Sequence, residues 1–175
     1  MILGLDLSLS CTGFSVLTFN KQIVEYGTIR TEKADFYNDI ERLRFIANKI
    51  EKIIQRYDIR IVVLEDSIPV KNSRSVLQVN VLKGMVIRTI QYQRHEIELN
   101  LFYPTTVKKL VTGNGRADKE TVANAVKEQL GLELEYSDKQ NKKKTSDIFD
   151  SLALGLSYIK EKRGNVEWLE LNYTK

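Results

Sequence analysis

Apolar and polar positions along the chain follow two rhythms, and the changes of rhythm mark the elements. Ile2 to Leu7 is a short, nearly unbroken apolar run of the kind that fills a central strand. Gly13 to Phe19 and Gln22 to Arg30 read as two further strands with Asn20-Lys21 as a tight turn between them, so the chain is expected to open as a three-stranded meander. From Asp39 the spacing lengthens to Ile40, Leu43, Ile46, Ala47, Ile50, Ile53, Ile54 and Tyr57, a helical period. Ile59 to Leu64 is then a β-branched run that stops at Glu65. Strand, helix and strand form a crossover, which places this strand parallel to a neighbour.

Ser67 to Ser73 reads as a loop, Arg74 to about Gln93 as a second long helix, and Ile97 to Tyr103 as an alternating strand stopped by Pro104. Thr105 to Thr112 is a short helix ended by Gly113, and Asp118 caps another that runs to Leu130 with Gly131 as its stop. Leu132 to Thr145 is a polar, Lys-rich loop delivering the chain to Ser146, the expected N-cap of a last helix through Lys160. With no internal repeat or linker, residues 1–160 are expected to form one domain and 161–175 a loosely ordered tail, with docking through Trp168, Leu169 and Leu171 as the alternative.

Composition narrows the chemistry. One cysteine (Cys11) and one histidine (His95) exclude an internal disulfide framework and any zinc site of several Cys and His ligands, so metal chemistry must rest on oxygen ligands. The first residues lack a basic leader and carry Asp6, Ser8, Ser10 and Thr12, which argues against a signal peptide or a membrane span and for a cytoplasmic protein. The net charge of +4 permits a nucleic-acid partner without establishing one.

Four acids stand where acids are costly or aimed. Asp6 lies inside an apolar strand, where an ionised carboxylate needs a compensating cation; the alternative is an edge strand with Asp6 turned outward. Glu65 ends its strand at the edge where open α/β sheets bind ligands, though a solvated strand end beside Asp66 is nearly as good a reading. Asp147 and Asp150 share one face of the last helix, a spacing that also suits simple stabilisation of a helix start. If the first and fourth strands are parallel neighbours and the last helix crosses them, the four carboxylates converge into a hard-cation site. Two Mg²⁺ (or Mn²⁺) ions there suit phosphodiester hydrolysis without a protein nucleophile.

Several motifs then match a known family in order along the chain. Met1-Ile-Leu-Gly-Leu-Asp6, Cys11-Thr-Gly13, Tyr26-Gly-Thr-Ile-Arg30, Val63-Leu-Glu65, Lys71-Asn72, Val107-Lys108, Asp118-Lys119 and Asp147-Ile-Phe-Asp150-Ser-Leu-Ala together resemble the RuvC family of Holliday-junction resolvases. The resemblance implies a ribonuclease-H-like α/β fold: a mixed five-stranded sheet of order 3-2-1-4-5 flanked by helices. It also implies a homodimer that makes paired, Mg²⁺- or Mn²⁺-dependent nicks in four-way DNA junctions, with Asp6, Glu65, Asp147 and Asp150 as catalytic metal ligands. Lys108 and Lys119 match the family's basic flank. Leu7-Ser8 stands where the family usually has Pro-Gly, and Ile68 where many members carry an aromatic residue that enters the junction. Ile68 is therefore the candidate base wedge, and these departures suggest a divergent, bacteriophage-encoded member.

Charge supports a DNA partner. Residues 67–95 and 99–117 contain no Asp or Glu but include Lys71, Arg74, Lys83, Arg88, Arg94, Lys108, Lys109 and Arg116. Lys71, Asn72, Arg74, Lys108, Arg116 and Lys119 are the expected DNA contacts; Lys142-Lys143-Lys144 is either a further contact or a solvated loop. Val76, Val79, Leu82, Gly84 and Val86 are a candidate dimer face, with ordinary core as the alternative. Gly113 to Lys119 lacks the Walker order, so no nucleotide cofactor is expected from it. Three other readings stay open: a non-catalytic junction binder, an actin-like nucleotide-binding lobe, and a nuclease of the same fold that cuts forks, flaps or RNA–DNA hybrid.

Overall fold

The unbroken apolar run at the N-terminus becomes β1 (Ile2–Asp6), and its composition follows from its place at the centre of a sheet covered on both sides. The computed structural model describes residues 1–66, 74–93, 96–138 and 145–163, with backbone only at 74, 75 and 163. β2 (Cys11–Leu17) and β3 (Ile23–Arg30) continue antiparallel from β1, while β4 (Ile61–Glu65) and β5 (Glu98–Phe102) add in parallel on its other side. The order β3-β2-β1-β4-β5 is the expected one. α1 (Asp39–Arg56) supplies the crossover into β4, capped by Asn38, whose side chain accepts from the Glu41 N–H at 3.0 Å.

Alternate residues of each central strand feed two cores. Ile2, Ile61 and Val63 face α3 (Pro104–Thr112), α4 (Lys119–Leu130) and α5 (Ser146–Arg163). Leu3, Leu5, Val62 and Leu64 face α1 and α2 (Arg74–Gln91). Within α2, Leu82 and Val86 are wholly buried, so these two members of the candidate dimer face belong to the core. The outward stripe of the helix is instead Leu77 and Val81, which are exposed, with Gly84.

Several boundaries moved for identifiable reasons. β4 starts at Ile61 because the Ile59 N–H is turned into a bend on Tyr57 O at 2.7 Å. The β2–β3 turn spans Thr18 to Lys21, with Lys21 in the left-handed region at φ 64° and Thr18 O accepting from Lys21 N at 3.0 Å. Pro104 opens α3 rather than only ending β5, since its fixed φ suits a first helical position. Ser146 lies inside α5: the carbonyl of Thr145 takes the Ile148 and Phe149 N–H groups, so the helix starts one residue earlier than a Ser146 cap would allow.

The turn after Asp6 lacks Pro-Gly and is held by a side chain instead. Thr12 Oγ1 donates to Ser8 O at 2.7 Å and accepts from Ser8 N at 3.1 Å. Arg42 of α1, itself buried, donates to Thr31 O and Thr31 Oγ1 at 3.2 Å and to Leu9 O at 3.4 Å, and pairs with Asp39 at 3.4 Å. Arg42→Met keeps the stem but removes these donors, and should cost about 2 kcal/mol in a denaturant titration. An unchanged midpoint would show that water replaces the guanidinium.

Candidate active site

The first and last elements meet because three small or recessed positions let a helix touch a sheet. Asp6 pairs with Gly13, Gly4 with Ser15 and Ile2 with Leu17 across β1 and β2. Where a Cβ on Gly13 would stand lies the backbone carbonyl of Asp147, and where one on Gly4 would stand lies that of Ser151. Ser15 Oγ also donates to Ser151 O at 2.9 Å, and Gly155 rests on Leu17. Two residues of strand advance about 6.7 Å and four residues of helix about 6 Å, so residues 147, 151 and 155 step down the β1–β2 pair antiparallel to β1. This row fixes Asp147 beside the strand pair that carries Asp6.

Carboxylate oxygens of Asp6, Asp147 and Asp150 consequently lie within 4.8 Å of one another. Glu65, at the end of β4, is the next residue along the same sheet edge and lines a cleft of about 310 Å³ with Asp6, Asp150, Lys108 and Lys119. The expected four acids thus converge, three tightly and Glu65 across the cleft. Burial, and then the charges of Asp150, Glu65 and Asp147, push the Asp6 carboxyl from 3.8 up to about 7. The Glu65 carboxyl is raised too, by desolvation from the cleft walls and by Asp150, although its side chain stays open to solvent. Such mutual repulsion among hard oxygen donors fits a divalent cation, and among the described residues no His or Cys joins the group.

Lys119 is the cation held directly against the acids. It occupies the first position of α4, where a positive charge opposes the helix dipole, and its Nζ meets Asp150 Oδ2 at 2.7 Å. Desolvation alone would lower its pKa, but the hydrogen bond and charge of Asp150, with Asp6 behind them, raise it. Asp118 caps the same helix by accepting from the Thr121 N–H at 2.7 Å, as expected. Lys108, half-buried on α3, also lines the cleft, whereas Arg116 is exposed in the α3–α4 connection. Arg74 is the first residue of α2. Lys71, Asn72, Ile68, the 142–144 lysines and residues 164–175 lie outside the described residues, while α5 carries the chain through 161–163.

The two described ends of the loop before α5 are clamped together. Thr145 Oγ1 donates to Glu135 O at 2.7 Å and accepts from Ser137 N at 2.8 Å, while Ser137 O accepts from Thr145 N and Ser146 N. Thr145 and Ser146 are buried. The clamp also brings in Tyr136, which the sequence did not single out: its ring lies 5.8 Å from Phe149, and its hydroxyl feels the charges of Lys119 and Asp150. A tyrosine in a polar loop carries no local signal of that placement.

A sequence model of the family described as Crossover junction endodeoxyribonuclease RuvC matches residues 2–158. The chain belongs to the RuvC family. That family consists of crossover junction endodeoxyribonucleases, and this is the chain's enzyme class. It is 29% identical over 169 residues to the RuvC of Dictyoglomus thermophilum, covering 94% of this chain and 99% of the relative. It is similar in fold to the solved Thermus thermophilus RuvC, with a TM-score of 0.78 at 20% identity over 94% of this chain and 96% of the other. The same enzyme solved in complex with a Holliday junction substrate gives a TM-score of 0.77 at 18% identity, covering 93% and 95%. The resemblance read from the motifs is therefore borne out, as is the ribonuclease-H-like sheet order; the bacteriophage origin finds no support in these matches. No helix among the described residues is long and apolar enough to cross a membrane.

Proposed function

We propose that this RuvC-family chain resolves four-way DNA junctions by paired nicks, with Asp6, Glu65, Asp147 and Asp150 as ligands of two divalent cations, Mg²⁺ or Mn²⁺. The close approach of Asp6, Asp147 and Asp150, with Glu65 lining a cleft alongside Asp6 and Asp150, carries the reading. Bound there, the cations would supply an activated water and stabilisation of the leaving 3′ oxygen. The protein's own part is positional. Lys119 draws Asp150 into place and leaves positive charge at the cleft mouth, and Lys108 faces it from α3, so a scissile phosphate meets a cation on either side. Lys71, Asn72, Arg74 and Arg116 are the further DNA contacts of this reading, with Ile68 as the wedge.

Paired nicks need two such clefts, and a two-fold homodimer provides them from one gene. The outward stripe Leu77, Val81 and Gly84 of α2 is the contact we assign to the second copy. Residues 1–160 act as one nuclease domain with a tail, in the cytoplasm and without a nucleotide cofactor.

A panel of four-way junction, fork, duplex and RNA–DNA hybrid incubated in Mg²⁺ tests the substrate. The junction should be cut in symmetric pairs, and Glu65→Gln should lose at least a hundredfold in rate while still shifting the junction in a gel. Equal cutting by Glu65→Gln would refute the metal-ligand assignment, and preference for the hybrid would refute the junction.

A further inference from the structure

We infer that Lys83 is a positioning residue for cleavage, acting through Asp66 to hold the end of β4 on which Glu65 stands. The inference rests on Glu65 as a metal ligand. Lys83 lies in the middle of α2, where a lysine stem ordinarily carries its head out to solvent. Here the side chain is only 14% exposed, and its Nζ meets Asp66 Oδ1 at 3.1 Å and Glu65 O at 3.5 Å. The helix cannot easily shift to release it, because Leu82 and Val86 on either side are fully buried in the core.

The strand end is held from the other side by β5. Asp66 N donates to Phe102 O at 2.8 Å, carrying the β4–β5 ladder one residue past Glu65. Glu65 therefore sits between a backbone bond to β5 and an ammonium from α2, with its peptide fixed at both neighbours. A ligand so held presents its carboxylate at a defined distance from Asp6 instead of swinging with a frayed strand end. The Lys83 ammonium pairs with Asp66, and its charge also reaches the Glu65 carboxylate. Lys83 also directly precedes Gly84 in the outward stripe, so the helix assigned to contact a second copy is the one that steadies this ligand.

The test uses the full-length protein and a four-way junction, and reads cleavage rate against Mg²⁺ concentration. Lys83→Met and Asp66→Asn should each raise the Mg²⁺ needed for half-maximal rate and lower the rate roughly tenfold, with junction binding in Ca²⁺ unchanged. Lys83→Arg should restore most of both. The double variant should be no worse than either single variant, because both remove one interaction. A purely structural ion pair would lower the melting temperature without moving the Mg²⁺ dependence, and that result would overturn the inference. Additive losses would overturn it too. Glu65→Gln separates the two levels: if it is dead while Lys83→Met and Asp66→Asn keep the wild-type Mg²⁺ curve, the positioning role fails alone. If Glu65→Gln cleaves normally, the metal-ligand reading fails with it.

Discussion

Asp6→Asn should abolish cleavage and yet give a metal-free protein that melts higher than the wild type at pH 8. Both effects come from one carboxylate. The Asp6 group ionises near 7 in the folded protein against 3.8 for an unperturbed aspartate, because burial and the neighbouring Asp150, Glu65 and Asp147 disfavour its charge. Below pH 3.8 both folded and unfolded chains hold the proton, and the site costs nothing. Between 3.8 and 7 the unfolded chain gives up the proton while the folded one keeps it, so stability falls as pH rises, and above 7 the full penalty applies. A displacement of about three pKa units corresponds to roughly 4 kcal/mol. Residual access of water to the carboxylate makes that an upper figure.

Asparagine has no charge to bury, so the variant should gain several degrees at pH 8 and nothing at pH 4. Mg²⁺ should raise the melting temperature of the wild type at pH 8, where cation binding relieves the repulsion, and raise that of the variant much less. Comparing the two proteins across pH isolates Asp6 from groups such as Glu98 and Asp118, whose lowered pKa values act in the opposite sense. A variant that melts below the wild type at pH 8 without metal would show that Asp6 is already neutralised by its surroundings. Retained cleavage would remove it from the site.

The parts of this site that could be read in the sequence are those that break a local pattern. Asp6 interrupts an apolar run, Glu65 terminates one, and Asp147 with Asp150 recurs at helical spacing, so each is visible within its own element. Lys119 could be flagged in the same way, as a cation at a helix start. Pairings across the fold left no such trace. Lys83 and Asp66 meet only because α2 folds back on the end of β4, and the Thr145 clamp depends on backbone groups of residues 135 and 137 that any side chains would provide. The polar composition of the loop ahead of α5 reports exposure and gives no sign that its described ends are tied together through Thr145 and Ser137. For Leu82 and Val86 the core alternative to a dimer face holds, a choice left open because helical spacing gives a face but not which neighbour covers it. The glycines of the strands were the one missed signal that was present, since glycine in a strand interior often marks the close approach of another backbone.

That signal leads to the largest structural effect expected from a single methyl group. Gly13→Ala places its Cβ inside the carbonyl of Asp147, a backbone atom that no rotamer change can move aside. The helix cannot tilt away cheaply either, because Ser151 is seated on Gly4 and Gly155 on Leu17 one and two turns further along. Overpacking of this kind costs about 1 to 3 kcal/mol and more where backbone meets backbone. Lifting the start of α5 by ~1 Å would also separate Asp147 and Asp150 from Asp6, a displacement on the scale that costs about a hundredfold in rate. The variant should therefore melt well below the wild type and lose cleavage, while junction binding at a permissive temperature survives because the basic flank on α3 is untouched. Gly4→Ala should destabilise the fold comparably but disturb the Mg²⁺ dependence less, since it acts one turn beyond the acids. If Gly13→Ala melts and cleaves like the wild type, α5 does not lie on the sheet as described, and the route by which Asp147 reaches Asp6 is wrong.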